Sequence, residues 1–196
     1  MQSREAAIER TNIFSKEGIG TNVLPIAAFV ALMTVCTWVK VPGVIPVTLQ
    51  TFAVALTVGI LGTKRGFAAI IAWLALGLAG APGFAGYVGG LPYLAGPTGG
   101  YVVGFLGMAL VTGKLIERFG KGMLSLCASM VAGLLVCYAF GTAWFMVVSG
   151  AAFTGAELVH VLEICIVPFI VPDAIKMGLA AGGARLAHGF LASRGK

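Results

Sequence analysis

Charge is what this sequence has least of. Asp, Glu, Lys and Arg make up 10% of its 196 residues, against about 25% in soluble domains. With 59% hydrophobic residues beside them, the balance excludes an ordinary soluble domain and points to an all-α chain that crosses a membrane several times. Catalytic side chains are equally scarce. The histidines, His160 and His188, lie far apart, and no H-E-x-x-H, G-x-S-x-G or paired-aspartate arrangement occurs. No G-x-x-x-x-G-K-[ST] is present, so the chain has no P-loop with which to hydrolyse ATP by itself. An enzyme is not expected, nor a cofactor, a metal or a nucleic-acid partner. The four cysteines, Cys36, Cys127, Cys137 and Cys165, show no C-x-x-C pairing and read as small buried hydrophobes.

Apolar runs are what the chain does have. A first span is expected over about Val23–Val39, ending at Lys40, long enough to cross a core of roughly 30 Å with little slack. In the loop Val41–Gln50, Pro42 and Pro46 forbid regular helix. Two apolar segments, about Thr51–Gly62 and Phe67–Gly80, flank Lys64 and Arg65. The former is short, so part of the preceding loop must sit within the protein. The stretch Ala81–Gly100 carries no charge and is rich in Gly and Pro. It is too apolar for a solvated linker and too broken for a helix, so at membrane depth it must pack on protein or line a cavity. Further spans are expected from Tyr101, over about Met123–Val148, and from about His160 to Arg185.

The fold expected is therefore six transmembrane helices in one bundle, a single domain over residues 1–196. Lys64, Arg65, Lys114, Arg118, Lys121, Arg185, Arg194 and Lys196 fall on one side of such a bundle, joined by the N-terminal Arg4, Arg10 and Lys16. Only Lys40 and the acidic Glu157 and Glu163 sit opposite. The positive-inside bias then puts both termini in the cytoplasm of a cell-membrane protein. Residues 1–20 read as a cytoplasmic segment: they mix both charge signs and run too long before the first apolar stretch for a secretory signal.

Against that background PFIVPDAIK (Pro168–Lys176) stands out. Asp173 and Lys176 are three residues apart, on one side of a helix, and each such charge costs about 2.5–3.5 kcal/mol in hydrocarbon. Asp173 lies about twelve residues, roughly 18 Å, before Arg185, near the membrane midplane and below the broken loops. Pro172 should kink or loosen the helix there. An ionisable pair at that depth is by default a functional site facing the interior; a self-neutralising ion pair that pins helices is the other reading. With Phe84, Tyr87, Tyr93 and Tyr101 in or beside the outer loop, the pair suggests a mostly apolar pocket for a small, ring-bearing, amphipathic ligand. Aromatics also serve as interfacial belt or core, and Gly96, Gly100 and Gly104, spaced by four, also serve as a smooth stripe for helix packing.

IPVTLQTF (Ile45–Phe52), GAPGFAGYVGGLPYLAGPTGGYVVGF (Gly80–Phe105), YAFGTAWF (Tyr138–Phe145) and PFIVPDAIK together resemble the BioY family, the biotin-capture subunit of energy-coupling-factor transporters. The resemblance implies a six-helix S-component that binds biotin at its outer side. Its partners would be a transmembrane coupling protein and two cytoplasmic ABC-type ATPases. By the family pattern Asp173 accepts from the ureido ring and Lys176 is its partner or a further polar contact. The two loops would enclose the ligand through Thr48, Gln50, Phe84, Gly86, Tyr93, Gly96, Thr98, Gly99 and Tyr101. Ala27 and Ala31 fit the spacing of small residues with which S-components dock on the coupling protein. Some members hold the ligand carboxylate with an arginine near the third loop. No arginine lies between Arg65 and Arg118 here, which leaves Lys40, Lys176 or backbone N–H groups of Gly96–Gly100 for that task. A solitary transporter without ATPases and a structural membrane protein are the rival readings.

Overall fold

The structure is a computed structural model that describes residues 19–42, 45–151 and 154–194. Among the described residues there are seven helices and one two-stranded ribbon. In order they are α1 (Ile19–Trp38), β1 (Lys40–Val41), β2 (Val47–Thr48), α2 (Gln50–Leu78), α3 (Leu91–Ala95), α4 (Gly99–Phe119), α5 (Met123–Ser149), α6 (Gly155–Cys165) and α7 (Val167–Arg194). The N-terminal segment, with Arg4, Arg10 and Lys16, lies outside the described residues, as does Lys196.

By length and composition α2, α4 and α5 can each cross a membrane, and α6 with α7, bent by 45°, makes a fourth such element; Val23–Trp38 is apolar but shorter. The α2 helix is not one rod, however. Gly62 stands at φ 79°, ψ 178°, a conformation open to glycine and strained for residues with a Cβ. A Cβ on Gly66 would lie 3.0 Å from the Cα of Val58, whereas residues eight apart on a straight helix are about 12 Å apart along its axis. The chain folds back on itself at Gly62, giving two limbs at the break expected between the apolar segments. The long rods are then α1, the two limbs of α2, α4, α5 and α7. Leu124, Leu135, Val147, Val171, Leu179 and Leu186 point outward from them, the apolar exterior that lipid favours.

One end of the bundle is basic. Thr63 Oγ1 donates to Glu117 Oε1 at 2.6 Å, and His188 Nε2 lies 2.8 Å from the carbonyl of Gly59. These contacts bring the Gly62 turn, with Lys64 and Arg65, against the ends of α4 and α7, where Lys114, Arg118 and Arg185 reside. The other end is built from loops. Lys40 pairs with Thr48 and Val41 with Val47 in an antiparallel ribbon, which tucks Ile45 into the core. The Ala81–Gly100 stretch is packed on protein, as its composition requires. Phe84 is fully buried, edge-on to Trp73 and stacked on Tyr93. Trp38 Nε1 donates to Pro82 O at 2.8 Å and Trp144 Nε1 to Gly96 O at 2.9 Å, so an indole holds each end of this loop.

The last apolar segment differs from the expected single span beginning near His160. Thr154 caps the N-terminus of α6, its hydroxyl accepting from the Glu157 N–H, and the chain breaks at Ile166. Pro168 has no N–H for the carbonyl of Ile164, so α6 cannot run on through it. Pro172 sits inside α7, and the 45° bend between α6 and α7 lies at the break at Ile166. The carbonyl that Pro172 leaves free is that of Pro168, in the first turn of the helix.

Candidate functional site

A cavity opens beneath the loop end, walled by Ile45, Pro46 and Thr48 from the ribbon region and Ala85, Tyr93 and Thr98 from the long loop. Its sides are Tyr101, Val102 and Phe105 of α4, Cys137 and Tyr138 of α5 and Phe169 of α7. Gln50 and Thr51, at the start of α2, and Asp173 and Lys176, in the first turns of α7, supply the polar groups. Its volume is about 50 Å³, room for roughly four waters at about 10–15 Å³ each. That is smaller than the roughly 300–1,000 Å³ of most small-molecule sites.

The Asp173 carboxylate is 1% exposed and Lys176 6%. Lys176 Nζ donates to Asp173 Oδ1 at 2.7 Å, the i,i+3 pairing that one helix face allows. Thr51 Oγ1 donates to the same oxygen at 2.9 Å, and Tyr138 Oη to Oδ2 at 2.6 Å. Three donors from three helices therefore meet one carboxylate. Such compensation is what a buried charge requires, because an unpaired one would be neutralised or expelled. Gln50, 5% exposed, takes a weak hydrogen bond from Thr48 Oγ1 on its carbonyl oxygen at 3.3 Å. Its Nε2 has no acceptor, leaving two N–H donors buried in a polar corner of the cavity.

Of the residues expected at the ligand, the fold gathers Thr48, Gln50, Tyr93, Thr98, Tyr101, Asp173 and Lys176 around this cavity. Phe84, Gly86, Gly96 and Gly99 fall outside its lining. Phe84 supports Tyr93 from behind, and Gly86 adopts φ 93° beside Lys40 Nζ. Gly96 gives its carbonyl to Trp144, and Gly99 lies against the backbone of Leu94. Gly100 and Gly104 meet Trp144 and Cys137 of α5, the close helix approach that small residues permit. Ala27 and Ala31 are exposed on α1 and line a shallow apolar groove with Val35, Trp38 and Leu76.

Thr51 and Tyr138 were not singled out from the sequence. A hydroxyl in the middle of a 27-residue apolar helix is the signal that could have found Tyr138. Thr51 carries no such signal, since threonines in these helices also bond their own backbone, as Thr37 and Thr57 do.

Tyr101 links the cavity to the break before α7. The Phe169 N–H bonds Ile166 O instead of the Cys165 carbonyl that a continuous helix would offer it. Tyr101 Oη donates to Cys165 O at 3.4 Å, satisfying that freed group.

Comparison with known proteins places the chain in a family and a fold. The model of the BioY family matches residues 10–193. The probable biotin transporter BioY of Pyrococcus horikoshii is 38% identical over 156 residues, covering 79% of this chain and 88% of its own. The biotin transporter BioY of Thermotoga maritima is 39% identical over 154 residues, covering 78% and 87%. In three dimensions the chain is similar to the S-component for biotin from an ECF-type ABC transporter, a crystal structure at 2.1 Å. The TM-score is 0.75 at 24% identity, covering 84% of this chain and 89% of that one; at that identity the likeness speaks for the fold.

Proposed function

The chain belongs to the BioY family, and from that premise we propose that it captures biotin at the outer face of the cell membrane and delivers it inward as the S-component of an ATP-driven uptake complex. The observation that carries this reading is the buried Asp173–Lys176 pair on a cavity whose one other buried free donor is Gln50 Nε2 among the described residues. An ionised carboxylate has about four lone-pair sites. Thr51, Lys176 and Tyr138 take three, leaving about one for a ligand N–H. Lys176 has spent one of its three donors on Asp173, and Gln50 Nε2 has spent neither of its two. One acceptor beside several donors fits a cyclic urea, which offers N–H groups and a carbonyl within a single small ring. Val102, Phe105, Phe169 and Ile45 supply apolar walls for the rest of the bicycle.

In this reading the six rods cross the membrane alternately and residues 1–196 form one domain. The basic end carrying Lys64, Arg65, Lys114, Arg118 and Arg185 faces the cytoplasm with both termini. The loop end faces outward, which puts the cavity within reach of external biotin. Ala27 and Ala31 present a smooth face to a transmembrane coupling protein, and two ABC-type ATPases on the cytoplasmic side supply the energy. The subunit itself carries no cofactor and performs no catalysis.

Thermal stability of the purified protein in detergent tests the ligand. Bound biotin stabilises by RT ln(1 + [L]/Kd), about 4 kcal/mol at a thousandfold excess over Kd. A melting temperature that does not move up to millimolar biotin would refute the reading. Uptake with and without the partner ATPases tests the energy source, and undiminished uptake without them would refute the ATP-driven part.

A further inference from the structure

We infer that Tyr138 and Thr51 are positioning residues for ligand capture: they set affinity through Asp173, by fixing the direction in which its remaining acceptor site points. This rests on the reading of Asp173 as the group that accepts from the ligand.

The two hydroxyls come from different helices and reach different oxygens of the carboxylate. Thr51, the second residue of α2, donates to Oδ1, and Tyr138, midway along α5, donates to Oδ2. A carboxylate can turn about its Cβ–Cγ bond, a broad and soft torsion. Lys176 alone would not stop that turning, because it shares a helix with Asp173 and its ammonium sits on a flexible four-carbon stem. Donors on both oxygens, from α2 and α5, pin the plane. Pre-paid orientation of this kind lowers the ordering that a ligand must otherwise impose when it binds. Each bond is also charge-assisted and shielded from bulk water, conditions that make a hydrogen bond short and strong. Neither hydroxyl is needed for charge balance, since Lys176 already neutralises the carboxylate, so their work at this site is directional.

The test uses Tyr138→Phe, Thr51→Val and Thr51→Ser in the intact purified protein, with labelled biotin as the probe. Each variant's ligand-free melting temperature is measured alongside. Tyr138→Phe and Thr51→Val should each weaken biotin binding about three- to tenfold, the scale of ordering one freed side chain on binding. Thr51→Ser, which keeps the hydroxyl and loses only the methyl, should stay within twofold of wild type. Tyr138→Phe and Thr51→Val should also lower the ligand-free melting temperature, since each removes a bond that the free protein already makes to the buried carboxylate, whereas Thr51→Ser should leave it close to wild type. The inference is overturned if either Tyr138→Phe or Thr51→Val leaves affinity within twofold. It is equally overturned if Thr51→Ser is as weak as Thr51→Val, with binding measured well below the melting temperature of each variant. Should Tyr138→Phe fail to fold, the valine and serine pair at position 51 decides. Wild-type protein that binds no biotin is a separate outcome and removes the proposed function itself.

Discussion

Tyr138 Oη donates to Asp173 Oδ2 across 2.6 Å, joining the middle of α5 to the second turn of α7. With Thr51 and Lys176 it makes the carboxylate the meeting point of three helices at the polar side of an otherwise apolar cavity. Helix packing and the polar wall of the cavity thus share one group.

Asp173→Asn keeps the shape of the side chain, removes the charge and leaves Lys176 without a counter-ion. Breaking one member of such a buried pair costs about 2–5 kcal/mol, a loss of roughly 30-fold to a few thousand-fold in affinity. Equilibrium binding of labelled biotin to the purified variant checks it, and a value within threefold of wild type would count against the assigned role.

The indole hydrogen bonds of Trp38 to Pro82 O and of Trp144 to Gly96 O hold the loop that roofs the cavity. Tyr87, in the left-handed region at φ 61°, stacks on Trp38 and adds to the latch. Trp38→Phe and Trp144→Phe remove one latch each while keeping a large ring. Because the latched loop lies over a cavity of only about 50 Å³, both substitutions should speed association and dissociation several-fold and change Kd less than threefold. Stopped-flow binding distinguishes this from a loss of affinity with unchanged association.

Gly104 is a packing residue. A Cβ there would lie 3.2 Å from the Cα and O of Cys137 and 3.3 Å from Phe140 Cβ, on the seam between α4 and α5. Gly104→Val overpacks that seam and should cost about 1–3 kcal/mol, visible as a lower melting temperature in detergent. An unchanged melting temperature would show that the helices separate without penalty.

Ala27→Leu and Ala31→Leu fill the groove on α1 without touching the cavity. Both should leave biotin binding intact and reduce co-purification with the coupling protein. Equal recovery of the complex from wild type and variants would argue against this face as the docking surface.

How much of this was legible in the sequence depended on how much each residue would cost if misplaced. Asp173 and Lys176 were readable because two charges in an apolar segment must find each other and turn inward, and they do. The break at Lys64–Arg65 was readable because charge and Gly62 interrupt the apolar run, and the chain turns at Gly62. Thr51 and Tyr138 were not readable, because a hydroxyl's aim depends on the rotation of its helix, which only tertiary packing fixes. The loop was legible as packed backbone but not residue by residue. Phe84 and Gly99 went to support the fold, while Thr98 and Tyr93 line the cavity. The break at Ile166 was not read because two prolines interrupt the backbone ladder four residues apart: Pro168, at the start of α7, ends α6, whereas Pro172 leaves free only a first-turn carbonyl.

The glycine at position 62 carries more of the topology than its size suggests. Were Gln50–Leu78 a straight rod, its 29 residues would reach about 43 Å, well past a 30 Å hydrocarbon slab. Reversal at one left-handed residue turns that overlong rod into a pair of limbs side by side, so every later helix starts from the opposite end of the bundle to the one a straight rod would reach. On that reversal depends which end of the bundle lies nearest the aspartate some hundred positions downstream.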